Sequence, residues 1–315
     1  MQKIPQKITA LFLSILFSLP AIAETDAKQL LDNMLLAKDK LNYEIAFVQT
    51  TPSNMDSFRY RHIKQGNKTY AQLVTLDGEQ QEIIQRDNLI SYFQPNAQAF
   101  TINSANIVDA LPAVMRSNFN RLSEYYEFVK LRKSRVAGRF TDTIRIVPKD
   151  DFRYQYLVFV DEENHLLLRA DMLDREGNLL DQFRVVTLYI DDQLKGLADY
   201  LNKVSIPPLL NDNKSTDNEI TFKWQPMWLP QGFTQISSKK ILNTNGAIET
   251  RLFSDGLFTF NLSIATTRSQ SQENTWRQGA YTIYSETHGD KEITFIGQLP
   301  IAAAKRIVKE VTFSP

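Results

Sequence analysis

The chain contains no cysteine. That absence removes disulfides, thiolate metal sites and a cysteine nucleophile together. Histidine is nearly as scarce: His62, His165 and His288 are the three in 315 residues, and they stand far apart. No His-Glu-x-x-His, Gly-x-Ser-x-Gly or phosphate-binding glycine loop occurs, so the signatures of zinc hydrolases, serine hydrolases and nucleotide enzymes are missing. A Ser-His-Asp site assembled from distant segments is the one enzyme chemistry left open. An excess of one charge is also lacking. With 36 Lys plus Arg against 36 Asp plus Glu, whole-chain charge points to neither nucleic acid nor an acidic surface as partner. Beyond the N-terminus no stretch approaches the ~20 apolar residues of a membrane span.

What is present begins with an address. Lys3 and Lys7 precede a short apolar run from Ile8 to Leu19, and Ala21-Ile22-Ala23 follows as a small-x-small cleavage site. Residues 1–23 are therefore expected to be a signal peptide, with Glu24 starting the mature chain. No cysteine follows that site, which excludes a bacterial lipoprotein anchor. The expected product is a soluble protein of the bacterial periplasm. Its composition, 43% hydrophobic and 23% charged, is ordinary for a globular protein, and its length suits one large or two moderate domains.

Thr25 to Lys40 reads as a helix, with Thr25 as cap and Leu30, Leu31, Met34 and Leu35 on one face. After Asn42 the period becomes two. Strands are expected at Tyr43–Gln49, around Phe58–Ile63, and at Tyr70–Leu76, Glu82–Gln85 and Leu89–Gln94, with Gly66-Asn67 and Asp77-Gly78 as hairpin turns. Apolar residues from Ile107 to Tyr126 fall at helical spacing and predict one or two helices over the mouth of the sheet. Strands resume at Glu127–Arg132, Thr141–Val147, Tyr154–Asp161, Leu166–Leu173 and Leu180–Ile190, followed by a short helix over Gln193–Lys203. Such short connections make an antiparallel meander.

The stiff Pro207-Pro208 and the polar run after it mark the best domain boundary. The expected division is 24–208, a linker at 209–218, and 219–315. The second domain should hold strands at Ile220–Trp224, Phe233–Leu242, Ile248–Ser254, Phe258–Ala265, Gly279–Glu286 and Glu292–Gly297, then a helix over Ile301–Lys309. The fold class is α+β, with two domains.

Three features attract a functional reading. Lys130 to Arg135 is a basic run on a strand and its turn, so Arg132, Lys133 and Arg135 are candidates for an anionic partner, either a phosphorylated lipid or an acidic peptide, against the plain reading of a solvated hairpin tip. Tyr92, Phe93, Phe119 and Tyr126 belong to an aromatic concentration that is either core or the lining of an acyl-chain cavity. Gln225 to Phe233 packs two prolines, two aromatics and a glycine into nine residues. Pro230-Gln231-Gly232 reads as a turn that presents Trp228 and Phe233 from a bent segment, as core or as partner surface.

Trp228-Leu229-Pro230-Gln231-Gly232-Phe233, then Arg251-Leu252-Phe253-Ser254-Asp255-Gly256-Leu257-Phe258, resembles the signature of the RseB/MucB family. Leu41-Asn42-Tyr43-Glu44, Phe58 to His62, Ile90 to Phe93, Gln182 to Val185 and Pro207 to Leu210 extend the resemblance in order along nearly all of the chain beyond residue 23. It implies a first domain similar to the LolA/LolB carriers, a curled antiparallel half-barrel packed on helices, and a smaller C-terminal sheet with a terminal helix. It also implies a non-enzymatic, cofactor-free periplasmic regulator of the sigma-E envelope-stress response. Such a regulator binds the periplasmic segment of the anti-sigma factor RseA and blocks its cleavage by DegS. Lipopolysaccharide or another acyl-chain ligand is then the release signal. Trp228, Phe233, Arg251 and Phe253 are the partner-binding candidates, Arg251 and Phe253 sharing a strand face at period two. A homo-oligomer is compatible with this reading. The alternative is a periplasmic lipid or lipoprotein carrier.

Overall fold

The computed structural model describes residues 20–210, 222–243, 246–267 and 273–314. Residues 1–19 of the expected signal peptide and 211–218 of the expected linker lie outside that set.

Helix α1 runs from Pro20 to Lys40. It already includes Pro20, the first described residue, so Thr25 lies inside the helix rather than at its cap. Ala27, Leu30, Leu31 and Met34 are its buried stripe. The chain then lays down six strands as a meander: β1 (Tyr43–Thr51), β2 (Asn54–Gln65), β3 (Lys68–Thr75), β4 (Glu82–Arg86), β5 (Leu89–Gln94) and β6 (Ala97–Asn103). The span from Ile107 to Tyr126 contains less helix than its spacing predicts: one 3-10 turn at Ala113–Arg116 and a single α-turn, α2 (Phe119–Leu122). Val114, Met115, Phe119 and Leu122 are buried all the same, so the apolar spacing serves a plug rather than a long helix. A second meander follows as β7 (Tyr126–Lys130), β8 (Ser134–Val136), β9 (Arg139–Pro148), β10 (Gln155–Asp161), β11 (Leu167–Leu173) and β12 (Leu179–Ile190).

The two meanders are joined by antiparallel pairing of β1 with β12, Tyr43 opposite Ile190. The result is one twelve-stranded sheet in the order β6-β5-β4-β3-β2-β1-β12-β11-β10-β9-β7, with β8 paired to β9. The sheet curls about α1 and the plug. On its other face, α3 (Lys195–Lys203) covers Ile63, Tyr70 and Ile84 with Ala198 and Leu201, a small separate core. Past α3 the chain is tied to the sheet edge: Thr101 N–H donates to the Pro208 carbonyl and Leu210 N–H to the Thr101 carbonyl.

The second lobe holds β13 (Trp224–Pro226), β14 (Thr234–Asn243), β15 (Gly246–Ser254), β16 (Thr259–Thr266), β17 (Asn274–Gln278), β18 (Tyr281–His288), β19 (Lys291–Gly297), α4 (Ile301–Lys309) and β20 (Val311–Phe313). Six strands form an antiparallel sheet in the order β14-β15-β16-β19-β18-β17, and β13 pairs with β20 as a separate ribbon. Ala303, Ala304, Ile307 and Val308 of α4 pack onto the sheet. Strands β6, β8, β17 and β20 go beyond the sequence expectation. The expected strand at Ile220–Trp224 reduces, among the described residues, to its last member at the start of β13. The buried apolar side chains of the two lobes form one continuous cluster, so the lobes share a core. No helix among the described residues is long and apolar enough to cross a membrane.

Candidate functional site: the contact between the lobes

The two most distinctive strings of the sequence meet at the lobe boundary. Pro230 fixes the first bend, and Phe233 N–H closes the turn on the Pro230 carbonyl at 3.2 Å. Gly232 has φ +85°, a conformation that side chains disfavour. A Cβ there would stand 2.5 Å from the ring of Tyr125, in the first lobe. Two independent constraints thus select glycine.

Arg153 enters from the loop before β10. It is buried, its Nη2 donates to the Gln231 carbonyl, and its guanidinium lies 5.2–5.8 Å from the rings of Tyr125, Tyr126 and Phe233. Its Nε is 3.4 Å from Asp255 Oδ2, an ion-pair distance that leaves the Nε hydrogen without a hydrogen bond. Asp255 is fully buried and organises the turn between β15 and β16. Oδ1 accepts from the N–H groups of Leu257 and Phe258, and Oδ2 accepts from the Tyr126 hydroxyl at 2.5 Å. Burial first, and the Asp255 charge second, hold the Tyr126 hydroxyl well above its usual pKa, so it acts as a fixed donor.

Around this ion pair the contact is aromatic. Phe258 stacks on Tyr156 at 5.7 Å, and Trp228 meets Phe152 edge-on at 4.7 Å beneath the guanidinium of Arg306. Ser117 Oγ donates to the Gly256 carbonyl and Arg121 Nη2 to the Gly232 carbonyl. At the far side, Gln278 Nε2 reaches Ser53 Oγ at 3.4 Å.

The four partner-binding candidates divide accordingly. Trp228 is half-buried in the lobe contact. Phe233 and Phe253 are buried and pack on Phe260, so in this conformation neither ring faces solvent. Arg251 does share the inner face of the sheet with Phe253. Its guanidinium lies 4.6 Å from the Trp224 ring and donates to the Trp224 carbonyl and to Gln235 Oε1. Burial lowers its pKa.

The lipid candidates are scattered. Tyr92 stacks on Phe100 and donates its hydroxyl to Asp109 Oδ2 at 2.9 Å. Asp109 borders a cavity of about 200 Å³ in the first lobe, lined also by Phe58, Leu73, Gln81, Ile83 and Ala110. Phe93 projects from the opposite face and packs beside α3. Phe119 is buried edge-on to Phe128, and Tyr126 is committed to Asp255. Arg132, Lys133 and Arg135 are exposed, as a headgroup site requires, yet the run is partly neutralised by the chain itself. Lys130 pairs with Asp26, Lys133 with Glu162, and Arg139 with Asp161 and Glu163. Sequence reasoning did not single out Arg153 or Phe152; Tyr125 belonged to the aromatic concentration of the first domain, and the structure places its ring against Gly232. Asp255 lay inside a quoted string, but nothing local marks Arg153 as its partner.

Fold and contact define a two-lobed antiparallel α+β protein whose lobes are held by a buried ion pair inside an aromatic shell. Residues 26–210 match the MucB/RseB N-terminal domain and residues 218–312 the MucB/RseB C-terminal domain; the chain belongs to the MucB/RseB family. It is 71% identical to the sigma-E factor regulatory protein RseB of Haemophilus influenzae, over 99% of this chain and 100% of that one. It is 40% identical to the protein of the same name from Escherichia coli K12, with 95% of each covered. The solved MucA/MucB complex of Pseudomonas aeruginosa has the same fold, with a TM-score of 0.73 at 22% identity, covering 92% of this chain and 99% of MucB.

Proposed function

We infer that the protein is a periplasmic negative regulator of the sigma-E envelope-stress response and acts by binding, not by catalysis. In this reading residues 1–23 are a cleaved signal peptide, and 24–208, 209–218 and 219–315 are first domain, linker and second domain. The protein binds the periplasmic segment of the anti-sigma factor RseA and shields it from DegS. The observation that carries the reading is near full-length identity of 71% with a relative that bears the name of sigma-E regulator. Support from the structure is that the family's distinctive strings join the two lobes, so the partner would meet one combined surface. Trp228 and Arg251 are its proposed anchors, with Phe233 and Phe253 supporting them from beneath.

Release would follow from a ligand that favours a different state of the lobes. Lipopolysaccharide or another acyl chain is the proposed ligand. The first-lobe cavity, at about 200 Å³, is smaller than usual small-molecule sites of ~300 Å³ or more, so acyl entry requires the segment with Asp109 and Ala110 to move aside. Ala110 sits at φ +54°, a strained point in that segment.

The test is a titration of the purified protein with the RseA periplasmic segment, beside a DegS cleavage assay of RseA. The expected outcome is a stable complex and slowed cleavage, both reversed by lipopolysaccharide. Acyl-chain transfer without any RseA complex would favour a lipid or lipoprotein carrier instead.

A further inference from the structure

The two ends of the lobe contact are built differently. At one end Arg153 and Asp255 are sealed among stacked rings. At the other, the β17–β18 hairpin of the smaller lobe reaches across to the first lobe, and its contacts are polar and open to water. Arg277 Nη2 stands 3.9 Å from Asp174 Oδ2, and Gln278 Nε2 is 3.4 Å from Ser53 Oγ. Gly279 seats the turn against backbone: a Cβ there would lie 2.9 Å from the Leu180 carbonyl oxygen, with Pro52 and Thr51 beside it. Strand β17 is exposed along its whole length. An element with so few buried apolar contacts opens at lower cost than the body it rests on.

Beneath this hairpin lies Asp181, the residue after Leu180, half-buried at the start of β12. Gln49 of β1 donates to its Oδ2 at 3.3 Å. Tyr281, two residues past Gly279, is half-exposed and stands near enough to feel the charges of Asp181 and Arg116. Tyr156 of β10, which is buried, feels the same two charges. Arg116 is fixed by donation to the Leu111 carbonyl at 3.1 Å. Gln49 also lines the first-lobe cavity, so the hairpin borders its mouth.

We propose that the β17–β18 hairpin is a pH-dependent latch: with Asp181 protonated it holds the lobes together on this side, and with Asp181 ionised it releases them to swing about the Arg153–Asp255 end. An ionised carboxylate favours water over burial, and lifting Tyr281 away admits water to Asp181. Burial raises the Asp181 pKa to about 6 in the closed contact, with Gln49 opposing, against ~4 for an exposed aspartate. Latching is therefore favoured in full below about pH 4 and loses that support as pH rises through about 6. The neighbouring groups keep this sign. Burial first, then the Asp181 charge, raises the Tyr156 and Tyr281 hydroxyls, so both stay protonated, and Arg116 stays a cation. Burial opposes ionisation of Asp174, but hydrogen bonds from Asn178 and the Arg277 charge lower its pKa overall, so its pairing with Arg277 persists across the window.

The chain has no cysteine, so two introduced ones take spin labels without competition. Met55→Cys in the first lobe and Asp290→Cys at the far end of β18 use exposed positions. Double electron–electron resonance on the purified protein should show one distance at about pH 5 and a second, displaced distance at about pH 7.5, the closed-to-open ratio falling about tenfold. Asp181→Asn in the labelled chain should keep the acid distribution at the higher pH. Gly279→Ala should show the second distance at both pH values, because its methyl group pushes the turn off the Leu180 carbonyl. Thermal melts check that the variants fold; the comparison of the two pH values in the otherwise unchanged labelled chain keeps the test valid if one does not. One distance at both pH values in that chain overturns the proposal, as does an unaltered pH response in Asp181→Asn. A folded Gly279→Ala that stays closed overturns it too, since the turn would then not hold the lobes.

Discussion

Arg153 in the first lobe and Asp255 in the second lie 3.4 Å apart, both almost wholly buried, and Tyr126 donates to the same carboxylate oxygen. Desolvation offsets much of the attraction in such a pair, so its main effect is to specify how the lobes meet.

Breaking that pair from one side should be costly. Asp255→Asn leaves the Arg153 charge facing a neutral group and should cost about 3 kcal/mol or more. Asp150, 3.4 Å from the same guanidinium, softens the loss. Arg153→Met with Asp255→Asn should lose less than the sum of the single changes. A double-mutant cycle by chemical denaturation reads this directly; additive losses would mean that the two residues do not interact.

Gly232 answers to its backbone angle and to Tyr125 at once. Gly232→Ala should lower stability by about 1–3 kcal/mol through strain and crowding. Tyr125→Ala in the same chain should return the steric part and leave the backbone part. Melting curves of the three variants separate the two contributions. No recovery in the double variant would assign the whole effect to φ.

Arg251 makes two hydrogen bonds and a ring contact that secure β13. Arg251→Ala should therefore cost about 1–2 kcal/mol while the protein stays folded. Lysine should not restore it, because it lacks the planar fork. If Arg251 also anchors the partner, affinity for the RseA segment falls about tenfold. Wild-type affinity in a folded Arg251→Ala would confine this residue to structure.

Asp181 supplies a pH dependence. Burial pushes its pKa up to about 6, although Gln49 Nε2 donates to it. An acid whose folded pKa lies above its unfolded value holds its proton longer in the fold. Its contribution is then favourable at low pH and is lost as pH rises from about 4 to about 6. Asp181→Asn should match wild type near pH 4 and exceed it at pH 7 by on the order of 1–2 kcal/mol, discounted for partial exposure. Urea unfolding at both pH values is the measurement. A variant less stable than wild type at pH 7 would refute the sign.

The candidate site was legible in part. Trp228 to Phe233 and Arg251 to Phe258 stood out because prolines, glycines and aromatics are concentrated in short windows, and both strings fall at the lobe contact. Their role there was not legible. Burial depends on what a side chain meets, and Phe233 and Phe253 meet Phe260. The basic run was equally visible, but Glu162 and Glu163, about thirty residues later, partly neutralise it.

By itself the sequence determined what short-range physics controls. Period-two alternation marked most of the strands, and glycine and proline marked the hairpins. It overestimated helix between Ile107 and Tyr126 because apolar spacing reports which residues seek burial, not the backbone that delivers them. The tertiary structure alone decided that β12 returns to pair with β1, that the lobes share one core, and that Arg153 finds Asp255. Those pairings join residues more than a hundred positions apart. They are selected by which buried groups can satisfy one another once the sheets have curled, and no local pattern encodes that.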